Sequence, residues 1–260
     1  MRVSIVTPSY NQAQFLERTI QSVLQQTYPD IEYIVIDGGS TDDSKKILQK
    51  YADRISYWVS EKDQGQTDAI NKGFAKATGD VMAWLNSDDT MEPYAVERAV
   101  EELKKHPEVG MVYGHGFFID AHDQKIGEFP SAQTDYLKLR QAYVHICQQA
   151  SFWRAELWRK VAPLDASIYF AMDYDLWLRL AKEAPLLFIN EHWANFRLHG
   201  DAKTVAEDDR CWPDMLKIHL RDGGSRISIF YLKFLLRKLA GPYIRWRRKR
   251  LAKGKPINIS

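Results

Sequence analysis

The chain reads as an α/β fold with a Rossmann-like, mostly parallel central sheet, helices on both faces and an amphipathic helical tail. Three observations predict it. Short apolar runs rich in Val and Ile alternate with stretches whose apolar residues recur every three or four positions. Strands that alternate with helices pair in parallel, because each crossover carries the chain back over the sheet. The length of 260 residues, 45% of them hydrophobic, is enough for one large buried core.

The elements follow in order. Val3 to Thr7 is the first strand, and Phe15, Leu16, Ile20, Val23 and Leu24 mark the helix after it. Ile31 to Ile36 is the second strand, followed by a short helix around Ile47, Leu48 and Tyr51. Ile55 to Val59 is the third, and Ala69, Ile70, Phe74 and Ala77 share one face of a helix that Gly79 ends. Val81 to Leu85 is the fourth strand, Val96, Ala99, Val100 and Leu103 line the next helix, and Val109 to Tyr113 is a fifth strand. Gly114 to Phe129 reads as a hairpin and Tyr136 to Tyr143 as a helix. Asp173 to Ala184 is an amphipathic helix, with strands expected at Leu186 to Ile189 and Trp193 to Leu198. The expected organisation is one domain over residues 1–222, in two halves (1–114 and 115–222), and a tail over 223–260.

Charge is unevenly spread. Eleven of the 36 Lys and Arg lie beyond Asp222, where no Asp or Glu falls. Residues 1–222 therefore carry 25 basic against 34 acidic residues, a net −9, although the whole chain is +2. Such an asymmetry points to a tail that meets an anionic surface. The stretch 226–250 mixes apolar and basic residues at helical spacing, with Tyr243 and Trp246 suited to the headgroup level of a membrane interface. The alternative is a helix packed on the domain with a solvated basic end. No nucleic-acid motif accompanies the charge, so no nucleic-acid partner is expected. Two cysteines, Cys147 and Cys211, make no disulfide framework, and Cys147 reads as an inert buried thiol. The N-terminus enters a strand at once, with no leader expected before it, and no apolar run reaches the roughly 18 residues of a spanning helix. The expected location is the cytoplasm, peripheral to the inner face of the cell membrane.

Ligands of parallel sheets bind beyond the carboxyl ends of the strands. Strand one is followed by Thr7-Pro8-Ser9-Tyr10-Asn11, and strand two by Asp37-Gly38-Gly39-Ser40-Thr41-Asp42. Strand three leads into Glu61 to Asp68, and strand four into Asn86-Ser87-Asp88-Asp89. All four ends are small, polar and acidic. Adjacent carboxylates such as Asp88 and Asp89 repel unless a proton or cation lies between them, and a hard divalent cation with a diphosphate is the usual partner. Asp37 reads either as a turn residue or as an acceptor for a nucleobase N–H, with Tyr10 able to stack on that base.

Taken in order, these motifs resemble family 2 glycosyltransferases of the GT-A fold, an inverting family that includes enzymes of bacterial polysaccharide and glycolipid synthesis. The resemblance covers roughly residues 1–200. It implies a nucleotide-diphospho-sugar donor, with UDP favoured, and a divalent metal, Mg2+ or Mn2+. By the same resemblance Pro8, Tyr10 and Asp37 surround the base, Asp68 lies near the nucleoside, Asp88 contacts the ribose and Asp89 binds the metal. His199 becomes a possible further metal ligand, Arg197 a structural or phosphate-side residue, and Lys203 a possible phosphate contact. Gln149 and Trp153 fall on the acceptor side, although by its type Trp153 also suits the core. The transferred group would be a hexosyl or N-acetylhexosaminyl unit, and the acceptor a glycan or a lipid-linked glycan.

An acceptor hydroxyl needs a base. Asp173 opens the clearest helix of the second half, where it suits an N-cap and the helix dipole. The family usually carries an acidic pair there whose second member is the base. Met172 replaces the first member and Asp173 matches the second, with Asp175 as the fallback. Two rivals remain: a sugar nucleotidyltransferase, which should show a basic Gly-rich loop after strand one, and a non-catalytic nucleotide-sugar-binding module on the same scaffold.

Overall fold

The computed structural model describes residues 1–200 and 211–251, without the side chains of 242 and 244–251. Lys203 and the side chain of Trp246 lie outside the described residues.

The strands are β1 (Val3–Ser9), β2 (Ile31–Asp37), β3 (Tyr57–Ser60), β4 (Val81–Trp84), β5 (Thr90–Met91), β6 (Met111–Ile119), β7 (Lys125–Phe129), β8 (Ser151–Arg154) and β9 (Leu186–Arg197). They form one sheet in the order β3-β2-β1-β4-β8-β6-β9-β5, with β7 paired to β6. β3, β2, β1 and β4 run parallel, as does β6 beside β9. β8 lies antiparallel between β4 and β6 and so joins the two halves of the chain in a single sheet. The expected division at Gly114 falls inside β6.

The helices are α1 (Ala13–Leu24), α2 (Ser44–Lys50), α3 (Gln66–Lys76), α4 (Ala95–Lys105), α5 (Tyr136–Arg140), α6 (Ala155–Val161), α7 (Met172–Glu183), α8 (Cys211–Arg221) and α9 (Ile229–Leu251). They cover both faces. Strand side chains alternate, so Ile5, Tyr33, Val35, Val81 and Ala83 meet α1, α2 and α4. Val6, Ile34, Ile36, Met82 and Trp84 meet α3, α6 and α7 on the other side. Burial on both faces explains why the parallel strands read as continuous apolar runs. The close approach of α3 to β1 depends on Gly73, where a methyl group would stand 2.3 Å from a Val6 methyl.

The structure departs from the sequence reading in its second half. The two expected strands at 186–198 are one strand, β9, whose pairing with β6 is irregular around His115. Its polar centre, Asn190-Glu191-His192, is partly exposed and broke the apolar pattern. β5, β8, α6 and α8 were not foreseen. β5 and β8 have only two and four residues, too short to display an alternation. Among the described residues no helix is long and apolar enough to cross a membrane.

α9 is fastened at its start. Phe230 is fully buried, stacked on His219 at 4.3 Å between ring centres and set against Trp212. Leu232, Leu236, Leu239 and Tyr243 recur at intervals of four, three and four residues and are all exposed. The tail therefore begins as a helix packed on the domain, as one of the two expected readings has it, and carries exposed apolar residues beyond that packed turn.

Candidate active site

The carboxyl ends of β1, β2, β3 and β4 open into a cavity of about 840 Å³. That volume is within the usual range of small-ligand sites, about 300–1,000 Å³. Its floor and near wall come from Pro8, Ser9, Tyr10, Gly38, Gly39 and Asp63, then from Asn86, Ser87, Asp88 and Asp89. The far wall is Tyr169 to Tyr174 at the start of α7, with Gln148 and Gln149 between. The cavity thus joins the nucleotide-side motifs to the expected base, residues more than 80 positions apart.

The carboxylates at the strand ends do different work. Asp37 is fully buried and is not part of the cavity wall. Its two oxygens accept from the Ser40 N–H at 2.9 Å, the Ser40 hydroxyl at 2.5 Å and the Ser60 hydroxyl at 2.7 Å. It holds the turn after β2 to the end of β3 from below. Tyr10 and Pro8 do line the cavity, and the Tyr10 ring is 59% exposed, open to stacking. Asp68 also lies off the wall. It accepts from the Gln64 N–H at 3.0 Å and pairs with Lys72 at 3.2 Å, and the Gln64 bond holds its carboxyl below the usual range. Its part is to brace the loop that precedes α3.

Asp88 and Asp89 are adjacent in sequence and opposite in environment. Asp89 is fully buried. Its Oδ1 accepts from the Arg197 N–H at 2.9 Å, and its Oδ2 from Gln149 at 2.8 Å and Asn86 at 3.2 Å. Burial, with the Asp88 charge beside it, pushes its carboxyl up to about 8. The Asp88 side chain is 20% exposed, and its Oδ2 lies 3.0 Å from His199 Nε2. His199 is held against Phe15, with ring centres 4.7 Å apart. Arg197 is fully buried and donates to the Asp88 and Asp120 carbonyls, so it clamps the loop rather than facing a phosphate. Thr19 of α1 lies within hydrogen-bond reach of the Ser87 and Asp89 carbonyls and fixes the same loop from the other side.

Among the described residues no three His, Cys, Asp or Glu side chains form a metal cluster. The donor set nonetheless fits a hard cation that takes the rest of its shell from phosphate and water. One cavity-facing carboxylate, Asp88, has an imidazole at its edge.

Asp173 lies in the first turn of α7, half-buried and on the cavity wall. Asp175 is buried away from it and ion-paired to Arg179 at 2.9 Å and to Arg221, which leaves Asp173 as the carboxylate of this helix that reaches the cavity. Met172 is buried beside it, and its sulfur accepts from the Thr67 hydroxyl at 3.2 Å. Gln149 serves Asp89 and lines the cavity. Trp153 does not: it is fully buried, packed edge-on against Phe74 and Trp84, because its β8 register sets it opposite Met82 and Met111 on the α3 face. Cys147 is buried as expected, and burial, reinforced by the Asp89 charge, pushes its thiol up to about 12.

Sequence reasoning passed over Asp63, Gln66 and Gln148. Gln66 donates to Asn86 at 2.8 Å, and Gln148 lies 3.4 Å from Asn86 and donates to the Trp84 carbonyl at 2.9 Å, so they tie the strand ends together. For Asp63 and Gln66 the signal available was their position after β3, which was read for Asp68 alone; Gln148 stands just before β8, beside Gln149, which was the residue singled out there.

The family model for glycosyl transferase family 2 matches residues 4–157. Chondroitin synthase of Escherichia coli is 31% identical over 235 residues, which are 89% of this chain and 34% of that protein. The uncharacterized glycosyltransferase alr2836 of Nostoc is 33% identical over 220 residues, 77% of this chain and 66% of the other. The uncharacterized glycosyltransferase Rv1514c of Mycobacterium tuberculosis is 33% identical over 246 residues, 89% of this chain and 90% of the other. This chain thus spans a third of the first relative, about two thirds of the second and most of the third. Among solved structures, TarS 1-349 of S. aureus in complex with UDP-GlcNAc aligns at a TM-score of 0.66 and 15% identity, over 84% of this chain and 65% of that one. The mannosyltransferase PcManGT of Pyrobaculum calidifontis in complex with GDP-Man and Mn2+ aligns at 0.66 and 18% identity, over 99% of this chain and 76% of that one. At these identities the structural likeness is one of fold. Sequence match and architecture agree, and the chain belongs to glycosyl transferase family 2.

Proposed function

We propose that this glycosyltransferase is an inverting enzyme that moves a sugar from a nucleotide-diphospho-sugar to a hydroxyl of a glycan or lipid-linked acceptor. The observation that carries the reading is the single cavity bounded by the strand ends on one side and by Asp173 on the other. The Asp173 carboxylate takes the acceptor O–H proton as that oxygen bonds to the sugar C1. The bond from C1 to the β-phosphate oxygen breaks on the opposite face, and one displacement inverts the anomeric centre. Tyr10 and Pro8 hold the base, and Asp88 with His199 would hold a Mg2+ or Mn2+ ion. Such an ion would supply positive charge to offset that developing on the departing diphosphate. This reading gives the ion to Asp88 rather than to Asp89, whose two oxygens already accept from three protein donors. Residues 1–222 form the catalytic unit in this reading, and no observation favours a non-catalytic module or a nucleotidyltransferase over it.

The acceptor side is read from the tail. Exposed Leu232, Leu236, Leu239 and Tyr243, with Lys233, Arg237 and Lys238 among them, suit a helix lying on an anionic membrane face, on the cytoplasmic side where sugar nucleotides are made available. Co-sedimentation with vesicles containing anionic lipid tests this. The full chain should pellet, and a chain ending at residue 225 should stay in the supernatant; equal pelleting of both would remove the membrane from the account.

Binding tests the donor reading. UDP, GDP and dTDP are titrated with and without Mn2+ while thermal unfolding is followed. A ligand selective for the native state adds about 2.7 kcal/mol of stability at a hundred times its Kd. A rise that needs both nucleotide and Mn2+ is expected, and no rise with any pair would contradict the reading.

A further inference from the structure

We infer that Asp63, and not Asp37, is the carboxylate that reads the nucleobase, and that it selects bases carrying a ring N–H next to a carbonyl. The inference rests on the nucleotide-donor reading above and deepens it. Asp37 cannot do this work, being buried with both oxygens engaged by Ser40 and Ser60. Asp63 lines the cavity beside Gly38, Gly39 and exposed Tyr10. Its Oδ1 accepts from the Gly65 N–H at 2.8 Å, a bond that fixes the carboxylate's orientation. Gly65 can offer that N–H because its backbone has φ +107°, in the left-handed region where glycine is at ease.

Oδ2 is the remaining oxygen, and it lies over Gly38. A methyl group at Gly38 would stand 2.7 Å from it. The residue after Asp37 must therefore be glycine for the Asp63 carboxylate to occupy this corner. An ionised carboxylate only accepts hydrogen bonds. It suits the N3–H of uracil or thymine, or the N1–H of guanine. Cytosine presents an unprotonated N3 at the same edge, and two acceptors facing each other leave both without a proton. A site built to bond one group rejects an analogue that lacks it, because its own polar atom is left unpaired.

Calorimetric titration of the wild type with UDP, GDP and CDP in Mn2+ provides the test, repeated on Asp63→Asn and Gly38→Ala. The wild type should bind UDP or GDP about ten- to a hundredfold more tightly than CDP, the span of one hydrogen bond to a charged group. Asp63→Asn keeps an oxygen for the Gly65 N–H and turns its NH2 toward the base. CDP should then bind as well as UDP or better, a reversal that a merely structural Asp63 would not produce. Gly38→Ala should displace the carboxylate and lower the preference for UDP over CDP at an unchanged melting temperature. A UDP-to-CDP ratio that is the same in the wild type and Asp63→Asn overturns this inference and leaves the donor reading intact. A wild type that binds none of the three overturns both.

Discussion

The floor of the cavity and its walls use the same residue type in opposite ways. Asp37 behind the cavity and Asp89 in its floor are fully buried, and their oxygens accept from serine, amide and backbone donors. On the walls, Asp63, Asp88 and Asp173 face the open volume. The difference teaches that an acidic strand end contains two kinds of carboxylate. One kind holds neighbouring strands in register and keeps the loops rigid. The other lines the cavity, where the proposed ligand would meet it. Asp88 and Asp89 show both kinds in consecutive residues of the loop between β4 and β5: Asp89 turns in to Arg197, Gln149 and Asn86, and Asp88 turns out to His199.

The comparison breaks most readily at this pair. Asp89→Ala leaves the buried Gln149 amide and the Arg197 N–H without an acceptor, at about 1–3 kcal/mol for each lost partner. The variant should melt several degrees lower without any ligand, at about 2–4 °C per kcal/mol for a chain of this size. Asp88→Ala should leave the unliganded melting temperature nearly unchanged and abolish the Mn2+ dependence of nucleotide binding. If the two phenotypes were exchanged, the division into floor and wall would be wrong at the position where it is drawn most sharply.

A smaller effect sharpens the comparison at the opposite end of the sheet. Glu32 is buried on β2, where burial by itself would raise its carboxyl. Hydrogen bonds from Ser4 at 2.5 Å and from the Thr78 N–H and hydroxyl at 2.7 and 2.8 Å outweigh that and hold it below the usual range. A carboxyl lowered in the native state adds stability that is present above its unfolded value. That stability is lost as pH falls through the native value. Urea unfolding of Glu32→Gln should therefore show less loss of stability than the wild type between about pH 5 and pH 3. Parallel curves for the two proteins over that window would show that Glu32 is not a structural carboxylate of the floor type.

The first half of the fold was legible because its strands are buried on both faces and its helices on one, so two periods alternate plainly. β8, β5 and α8 were not, since short elements carry no period and their places are fixed by packing across the sheet. For the site, the strand ends marked loops that open on one cavity, which Pro8, Tyr10, Asp88, Asp89, Gln149 and Asp173 line. The burial of Asp37 was hidden, whereas that of Trp153 is what its residue type suggested and only its place in the sheet was hidden. Nothing in Asp-Gly-Gly-Ser says that the serine turns back onto the aspartate, and nothing in Ser-Phe-Trp-Arg gives the register against β4. Asp63 was missed for the complementary reason: the glycine that makes room for it is 25 positions earlier in the chain.

Turnover of Asp173→Asn measures the central claim most directly. Release of nucleoside diphosphate from UDP-, GDP- and dTDP-sugars is followed for the wild type and the variant, together with nucleotide affinity and melting temperature. The account predicts a rate lower by about a hundred- to ten-thousandfold, the range for loss of a general base, with affinity and melting temperature retained. A variant that turns over at the wild-type rate would contradict the assignment of Asp173, and with it the proposal that donor and base meet in this cavity.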